Sequence, residues 1–220
     1  MKTVAVVLCG SGYLDGSEIR EAVATLWALS KHPVNVVCFA PDAPQADVIN
    51  HLTGEKMNES RNMLTEAARI TRGKIKPLSE LTNTEYDALI MPGGFGVAKN
   101  LSSFAAEGSG GLVHHKELAH DISAMHKTGM PIGAICIAPA LVALALKDAN
   151  IEVTLGEESG AAEQIRRMGH KHIAKKPNEI HVDRVNKIVT TPAYMYDDAP
   201  LHEVFEGIGK LVDEVIGMMK

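Results

Sequence analysis

Short apolar runs alternate with longer amphipathic stretches over most of the chain. Residues 3–8, 34–40, 88–91 and 132–135 are continuous apolar or β-branched runs, the pattern of strands buried on both faces of a parallel sheet. Between them the period becomes helical. Ser17 is placed to cap a first helix, with Glu18 in its first turn and Ile19, Ala22, Val23, Leu26 and Trp27 as its buried stripe. Residues 60–71 predict a short helix, and 115–127 predict another with Leu118, Ile122 and Met125 inward. Residues 138–146 are rich in Ala and Leu and predict a helix buried all round. Further on, residues 151–155, 170–173 and 187–191 are strand-like, while 159–168 fit a short helix or an ordered loop. Asp198 and Pro200 open a last helix with Leu201, Val204, Phe205, Ile208, Leu211, Val212 and Val215 on one face.

Strands alternating with helices predict right-handed βαβ units. The fold class is therefore α/β, a doubly wound, mostly parallel sheet with helices on both faces. No repeat, linker or compositional break divides residues 1–220, so one domain is expected. Two long segments, 41–59 and 97–112, interrupt the alternation and are expected as loops that cover a site.

Composition narrows the function classes. Hydrophobic residues make up 45% of the chain and aromatics only 4%, so the core is aliphatic. A net charge of −5 gives no footprint for nucleic acid or for an anionic membrane surface. No apolar stretch approaches the ~20 residues that span a bilayer. The run 4–8 is too short for a secretory signal and is followed by glycines, so a cytosolic protein is expected. Three widely spaced cysteines give neither a disulfide framework nor a zinc pattern, and Cys9 and Cys38 fall in strands as inert core residues. His170 and His172 share a strand face but have no third ligand in register, and His114 and His115 point to different sides, so no metal is expected. Gly10-Ser11-Gly12 invites a dinucleotide reading. However, its third glycine, Gly16, comes one position late, and Asp42 lies about thirty residues on rather than about twenty, so no cofactor is expected.

The chemistry-bearing candidate is Cys136, between the strand 132–135 and the helix 138–146. Ala134 and Ala138 stand two residues before and after it, small enough for the sharp strand-to-helix turn of a nucleophile elbow. Free N–H groups and the positive end of the following helix favour thiolate over thiol. The alternative is a structural cysteine in an apolar run. Placement supports the first reading. In open parallel sheets ligands bind beyond the carboxyl ends of the strands, and there the loop after the first strand, residues 92–96, Cys136 and residues 192–195 all fall. Gly93 and Gly94 let backbone N–H groups approach closely and, with the N–H of Ile137, compose a candidate oxyanion hole; the alternative is a tight turn. Glu18 and Glu21 lie three apart on one side of the first helix near its start. A carboxyl pressed against the elbow would have a raised pKa and could move a proton; the alternative is a solvated surface glutamate.

Seven segments together resemble the class I glutamine amidotransferase-like superfamily in its PfpI-like branch. Within it they are most similar to the ElbB-type proteins, described as glyoxalases and as isoprenoid-biosynthesis proteins with an amidotransferase-like domain. The segments are residues 15–22, 38–42, 50–55, 59–62, 91–96, 134–139 and 191–195. The resemblance implies a flavodoxin-like sandwich, a cysteine nucleophile at Cys136 and, by position, Glu21 as the carboxyl that approaches it, with Glu18 one turn nearer the helix start. Two departures bear on activity. Amidotransferases carry glycine two after the cysteine, where this chain has Ala138, and a histidine after the next strand, where residues 153–157 have none. A Cys-His-Glu triad for glutamine hydrolysis or proteolysis is therefore not met. The resemblance implies instead a cofactor-independent glyoxalase acting on a small dicarbonyl, or removal of early glycation adducts, and a homodimer. The competing class is a non-enzymatic cysteine redox sensor.

Overall fold

The computed structural model describes residues 1–82 and 85–219. Seven strands form one sheet in the order β3-β2-β1-β4-β5-β9-β8. These are β1 (Lys2–Val7), β2 (Val34–Ala40), β3 (Lys76–Pro77), β4 (Ala88–Met91), β5 (Ile132–Ile135), β8 (His181–Asp183) and β9 (Ile188–Thr191). All pairings are parallel except β8 with β9, which is antiparallel and closes one edge. A separate two-stranded ribbon joins β6 (Glu152–Val153) to β7 (Lys171–His172). The helices are α1 (Ile19–Leu29), α2 (Met63–Ile70), α3 (Phe95–Lys99), α4 (Phe104–Glu107), α5 (Lys116–Lys127), α6 (Ala138–Ala145), α7 (Gly160–Arg167) and α8 (Leu201–Met218).

The strand pleat sorts apolar residues into two cores. Ala5, Val7, Leu89, Met91, Ile132 and Ala134 face a layer containing α3, α5 and α6. Val4, Val6, Leu8, Ala88, Ile90 and Ile135 face α1 and α8. This is the expected doubly wound α/β fold. Strand order reverses between β1 and β4, leaving a crevice at their carboxyl ends.

Several local expectations are corrected. The cap of α1 is Glu18, whose carboxylate accepts the Glu21 N–H at 2.6 Å. Ser17 is wholly buried, and its hydroxyl accepts the Cys9 N–H at 2.9 Å, so it is committed to the strand end. The buried face of α1 also differs: it is Glu21, Ala22, Ala24, Thr25, Ala28 and Leu29. Ile19, Val23 and Trp27 are instead 46%, 44% and 48% exposed. The face that meets α8 and the sheet is mostly small, which allows close approach, and the larger apolar side chains are left outside. On α8, likewise, Leu201 is 48% exposed and Phe205 only half-buried. The strands β3 and β8 were not expected, because two or three residues are too few to show a period of two. Residues 97–112 are not one loop: they contain the end of α3 and all of α4, with Leu101 and Phe104 in the core. The segment 41–59 braces the loop after β1. Ile49 N–H donates to Asp15 Oδ2 at 2.8 Å, Gln45 Nε2 to the Asp15 carbonyl at 3.2 Å, and Ala46 N–H to Asn100 Oδ1 at 2.9 Å.

His170 and His172 are core groups that finish the ribbon. The Nδ1 of His170 accepts the Ile151 N–H at 3.2 Å and its Nε2 donates to the Ala143 carbonyl at 3.0 Å. The Nε2 of His172 accepts the Leu155 N–H at 3.1 Å. Among the described residues no group of three or more metal-ligating side chains occurs. Burial lowers the pKa of both imidazoles, against weaker opposing effects of the Ala143 carbonyl on His170 and of Glu158 on His172.

Both histidines are therefore held neutral in the fold, while the unfolded chain takes up protons near the ordinary value of 6.5. Below that pH the unfolded state binds more protons, so stability falls as pH drops toward the lower folded-state values. Thermal unfolding between about pH 7 and about pH 5 is expected to show this loss. His170→Gln, which can keep both hydrogen bonds without titrating, should flatten the slope by up to ~1.4 kcal/mol per pH unit.

Candidate active site

Cys136 follows β5 directly and takes φ = +59°, in the left-handed region that costs an L-residue roughly 1–3 kcal/mol. Its N–H donates to the Thr191 carbonyl of β9 at 2.9 Å, which fixes the turn. Ile137 is the N-cap of α6, Pro139 occupies the first turn, and Ala134 and Ala138 are fully buried. This is the elbow geometry. The sulfur is not held proud of the surface: Cys136 is 7% exposed.

Glu21 comes to the cysteine from α1 across the crevice between β1 and β4. It is fully buried, and its carboxyl is hydrogen-bonded to the Cys136 thiol. Its Oε2 accepts the Gly93 N–H at 2.9 Å and its Oε1 accepts the Tyr194 N–H at 3.2 Å. Gly93 must be glycine for this approach, since a Cβ there would lie 2.5 Å from the Cys136 Cβ and 2.8 Å from Glu21 Oε2. Gly94 has φ = +102°, and a Cβ on it would run into Gly16 O and Glu18 N. Glu18 does not face the thiol. It caps α1, donates its own N–H to the Gly93 carbonyl at 2.9 Å, and acts on Glu21 through its charge.

The expected N–H cluster is present in altered form. Gly94 and Ile137 N–H groups reach the Cys136 sulfur. The Gly93 N–H points at Glu21, so it is not part of the group around sulfur. Tyr194 belongs to the segment 192–195 expected at this edge, although the sequence assigns it no role of its own. Its N–H reaches Glu21 because Ala193, fully buried, takes φ = +44°, a conformation nothing in Ala-Tyr announces. The Tyr194 hydroxyl in turn accepts from Arg20 Nη1 at 3.0 Å.

Electrostatics also correct an expectation. Burial, and then the charge of Glu21, raise the Cys136 thiol well above its ordinary value; the N–H groups of Gly94 and Ile137 oppose this and are outweighed. Burial, and then the charge of Glu18, push Glu21 up to about 8, against the N–H groups of Tyr194 and Gly93 and the thiol itself. Burial therefore opposes ionisation of both groups, where the helix start and free N–H groups alone favour a thiolate. Among the described residues no histidine acts on either group. Cys9 and Cys38 are buried thiols raised to about 12 and about 11 by burial.

No family model matches the chain. Over 97% of its length it is 48% identical to the human glutamine amidotransferase-like class 1 domain-containing protein 3, mitochondrial, spanning 82% of that protein. It is 47% identical to the rat ES1 protein homolog, mitochondrial, with the same coverage. Among solved structures, an isoprenoid biosynthesis protein with an amidotransferase-like domain from Ehrlichia chaffeensis superposes with TM-score 0.93 at 38% identity, covering both chains completely. Glyoxalase III from Candida albicans shares the fold, with TM-score 0.62 at 14% identity over 100% of this chain and 98% of that one. The cytosolic expectation is overturned, since the curated relatives are mitochondrial proteins. Short apolar runs bear on secretion only. Mitochondrial addresses are amphipathic and Arg-rich, so the lack of an apolar signal does not separate the two compartments.

Two outcomes follow from this geometry. Gly93→Ala should lower the denaturant-unfolding free energy by about 1–3 kcal/mol, because the methyl must displace Cys136 or Glu21. Alkylation of Cys136 should accelerate as pH rises through about 8, where Glu21 becomes an ionised acceptor for the thiol proton. In Glu21→Gln that step should vanish, and only the rise at higher pH should remain.

Proposed function

Because the chain belongs to the glutamine amidotransferase-like class 1 family, we propose that Cys136 and Glu21 form a two-residue catalytic pair. Its reaction is a glutathione-independent glyoxalase reaction that turns glyoxal and water into glycolate. The observation that carries this reading is the buried Glu21 carboxyl on the Cys136 thiol, with the Gly94 and Ile137 N–H groups on the same sulfur. A triad hydrolase needs a histidine to carry protons, whereas an aldehyde substrate needs only one group that accepts and returns them.

Ionised Glu21 takes the thiol proton as sulfur adds to one aldehyde carbon. The proton passes to the new alkoxide, giving a hemithioacetal. Glu21 then removes the hydrogen from the carbon bonded to sulfur as a proton, and the electron pair moves to form an enediolate. Return of that proton to the neighbouring carbon, with the hydroxyl proton passing from the oxygen beside sulfur to the other oxygen, gives a thioester of glycolate. Water cleaves the thioester, releasing glycolate and restoring the thiol. Hydrogen is moved within the substrate and one water is consumed, so no external oxidant, reductant, metal or cofactor is required. The Gly94 and Ile137 N–H groups, which act on the sulfur, would also meet negative charge that develops on oxygen next to it. A site whose burial opposes charge on both groups suits an uncharged substrate, since a permanent buried thiolate would be costly.

A second reading is favoured by the same N–H groups. They could hold the oxygens of an oxidised sulfur, making Cys136 a redox sensor rather than a nucleophile.

With purified protein and glyoxal, Cys136→Ser is expected to abolish glycolate formation. Glu21→Gln should lower kcat by roughly 10²–10⁴. Unchanged turnover in Cys136→Ser would end the glyoxalase reading. Negligible wild-type turnover, with peroxide converting Cys136 alone to a sulfinate, would favour the sensor.

A further inference from the structure

Both N–H groups on Glu21 come from turns that the start of α1 grips a second time. Gly93 donates to Oε2, and its carbonyl accepts the Glu18 N–H at 2.9 Å. Tyr194 donates to Oε1 at 3.2 Å, and its hydroxyl accepts from Arg20 Nη1 at 3.0 Å. Arg20 and Glu21 are consecutive, so α1 holds one tyrosine by its two ends.

The grip on the tyrosine works against strain. Tyr194 lies in the short helical turn Ala193–Met195 after β9, entered through Ala193 at φ = +44°. An alanine keeps that conformation only where its surroundings over-determine it. The bond inside the turn, from the Met195 N–H to the Pro192 carbonyl at 3.0 Å, fixes its shape but not its distance from α1. Arg20 is placed to fix that distance. It is exposed and stands in the first turn of α1, where the helix dipole disfavours a cation. Its guanidinium carbon also lies over the Tyr194 ring, 5.8 Å from the centroid, so the phenol is engaged by its face as well as its tip.

We propose that Arg20 is a positioning residue: through the Tyr194 hydroxyl it holds the turn after β9 against α1, so that the Tyr194 N–H stays on Glu21 and favours the carboxylate that accepts the Cys136 proton. The titratable groups that act on Glu21 are Glu18 from its own helix and Cys136 from the elbow, while β4 and the turn after β9 present N–H groups to it. Burial and the charge of Glu18 oppose an ionised Glu21, and the Tyr194 and Gly93 N–H groups favour it. The inference rests on Glu21 as the proton acceptor for Cys136 and is independent of the substrate.

Iodoacetamide alkylation of the full chain, read at Cys136 by peptide mass spectrometry and followed against pH, tests it. The wild-type rate is expected to rise through about 8, as Glu21 ionises. Tyr194→Phe removes the hydroxyl and keeps every charge that acts near neutral pH. It should move the rise up by about half to one pH unit, as for one weakened hydrogen bond to a charged group. Arg20→Met should move it in the same direction. The double variant should go no further than the larger single shift, because both changes cut one linkage. In a Glu21→Gln background, Tyr194→Phe should leave the profile unmoved. Far-UV circular dichroism should be the same for all. A Tyr194→Phe profile that coincides with the wild type, or a displacement that persists without Glu21, overturns the proposal. A shift in Arg20→Met alone assigns the effect to charge and overturns it too. In those cases the proposed chemistry stands. A wild type with no rise near pH 8 removes Glu21 as the acceptor, and both readings fall.

Discussion

One buried contact, the Glu21 carboxyl on the Cys136 thiol, sets the conditions that the surrounding structure meets. Taking an ionisable carboxyl out of water costs several kcal/mol unless it stays protonated or finds donors. Here it does both in part: burial pushes it to about 8, and N–H groups of Gly93 and Tyr194 wait on its two oxygens. Charge-assisted hydrogen bonds of that kind each recover about 1.5–3 kcal/mol, which keeps the ionised form within reach near neutral pH. The sulfur has its own pair of donors, Gly94 and Ile137, so the charge can move from carboxyl to sulfur and still be met.

That arrangement draws on strained backbone. Cys136 and Ala193 both hold positive φ, at a cost of roughly 1–3 kcal/mol each in a fold whose total stability is of order 5–15 kcal/mol. Two parallel strands over-determine them: the Cys136 N–H is tied to the Thr191 carbonyl, so the elbow after β5 and the turn after β9 hold each other. The strain is a consequence of aiming one sulfur and one N–H at the same carboxyl from different strands.

Helix α1 has a dual assignment. Its inner face is narrow, so α8 and the sheet come close enough to bring Glu21 to the crevice. Its outer face bears the larger side chains. A helix that must place a carboxyl by tight packing cannot also bury bulky residues on that face, and the apolar content it carries is displaced outward.

The sequence by itself determined the longer central strands and the class of fold, and it pointed to Cys136 as the candidate for chemistry. These depend on local pattern: β-branched runs for β1, β2, β4 and β5, small residues flanking Cys136, and glycines at 93 and 94. It did not determine which side of α1 is buried. Apolar residues lie on more than one face of that helix, and only the closeness of α8 selects Ala22, Thr25 and Ala28 over Ile19, Val23 and Trp27. Nor did it give the direction in which Cys136 is shifted. The dipole and free N–H groups of a helix start are local and readable, but burial and a carboxyl 115 positions away in the chain act against them and win. The Tyr194 N–H on Glu21 was illegible for the same reason. It depends on the φ of Ala193, a conformation imposed by the meeting of β5, β9 and α1, and no residue type at that position records it.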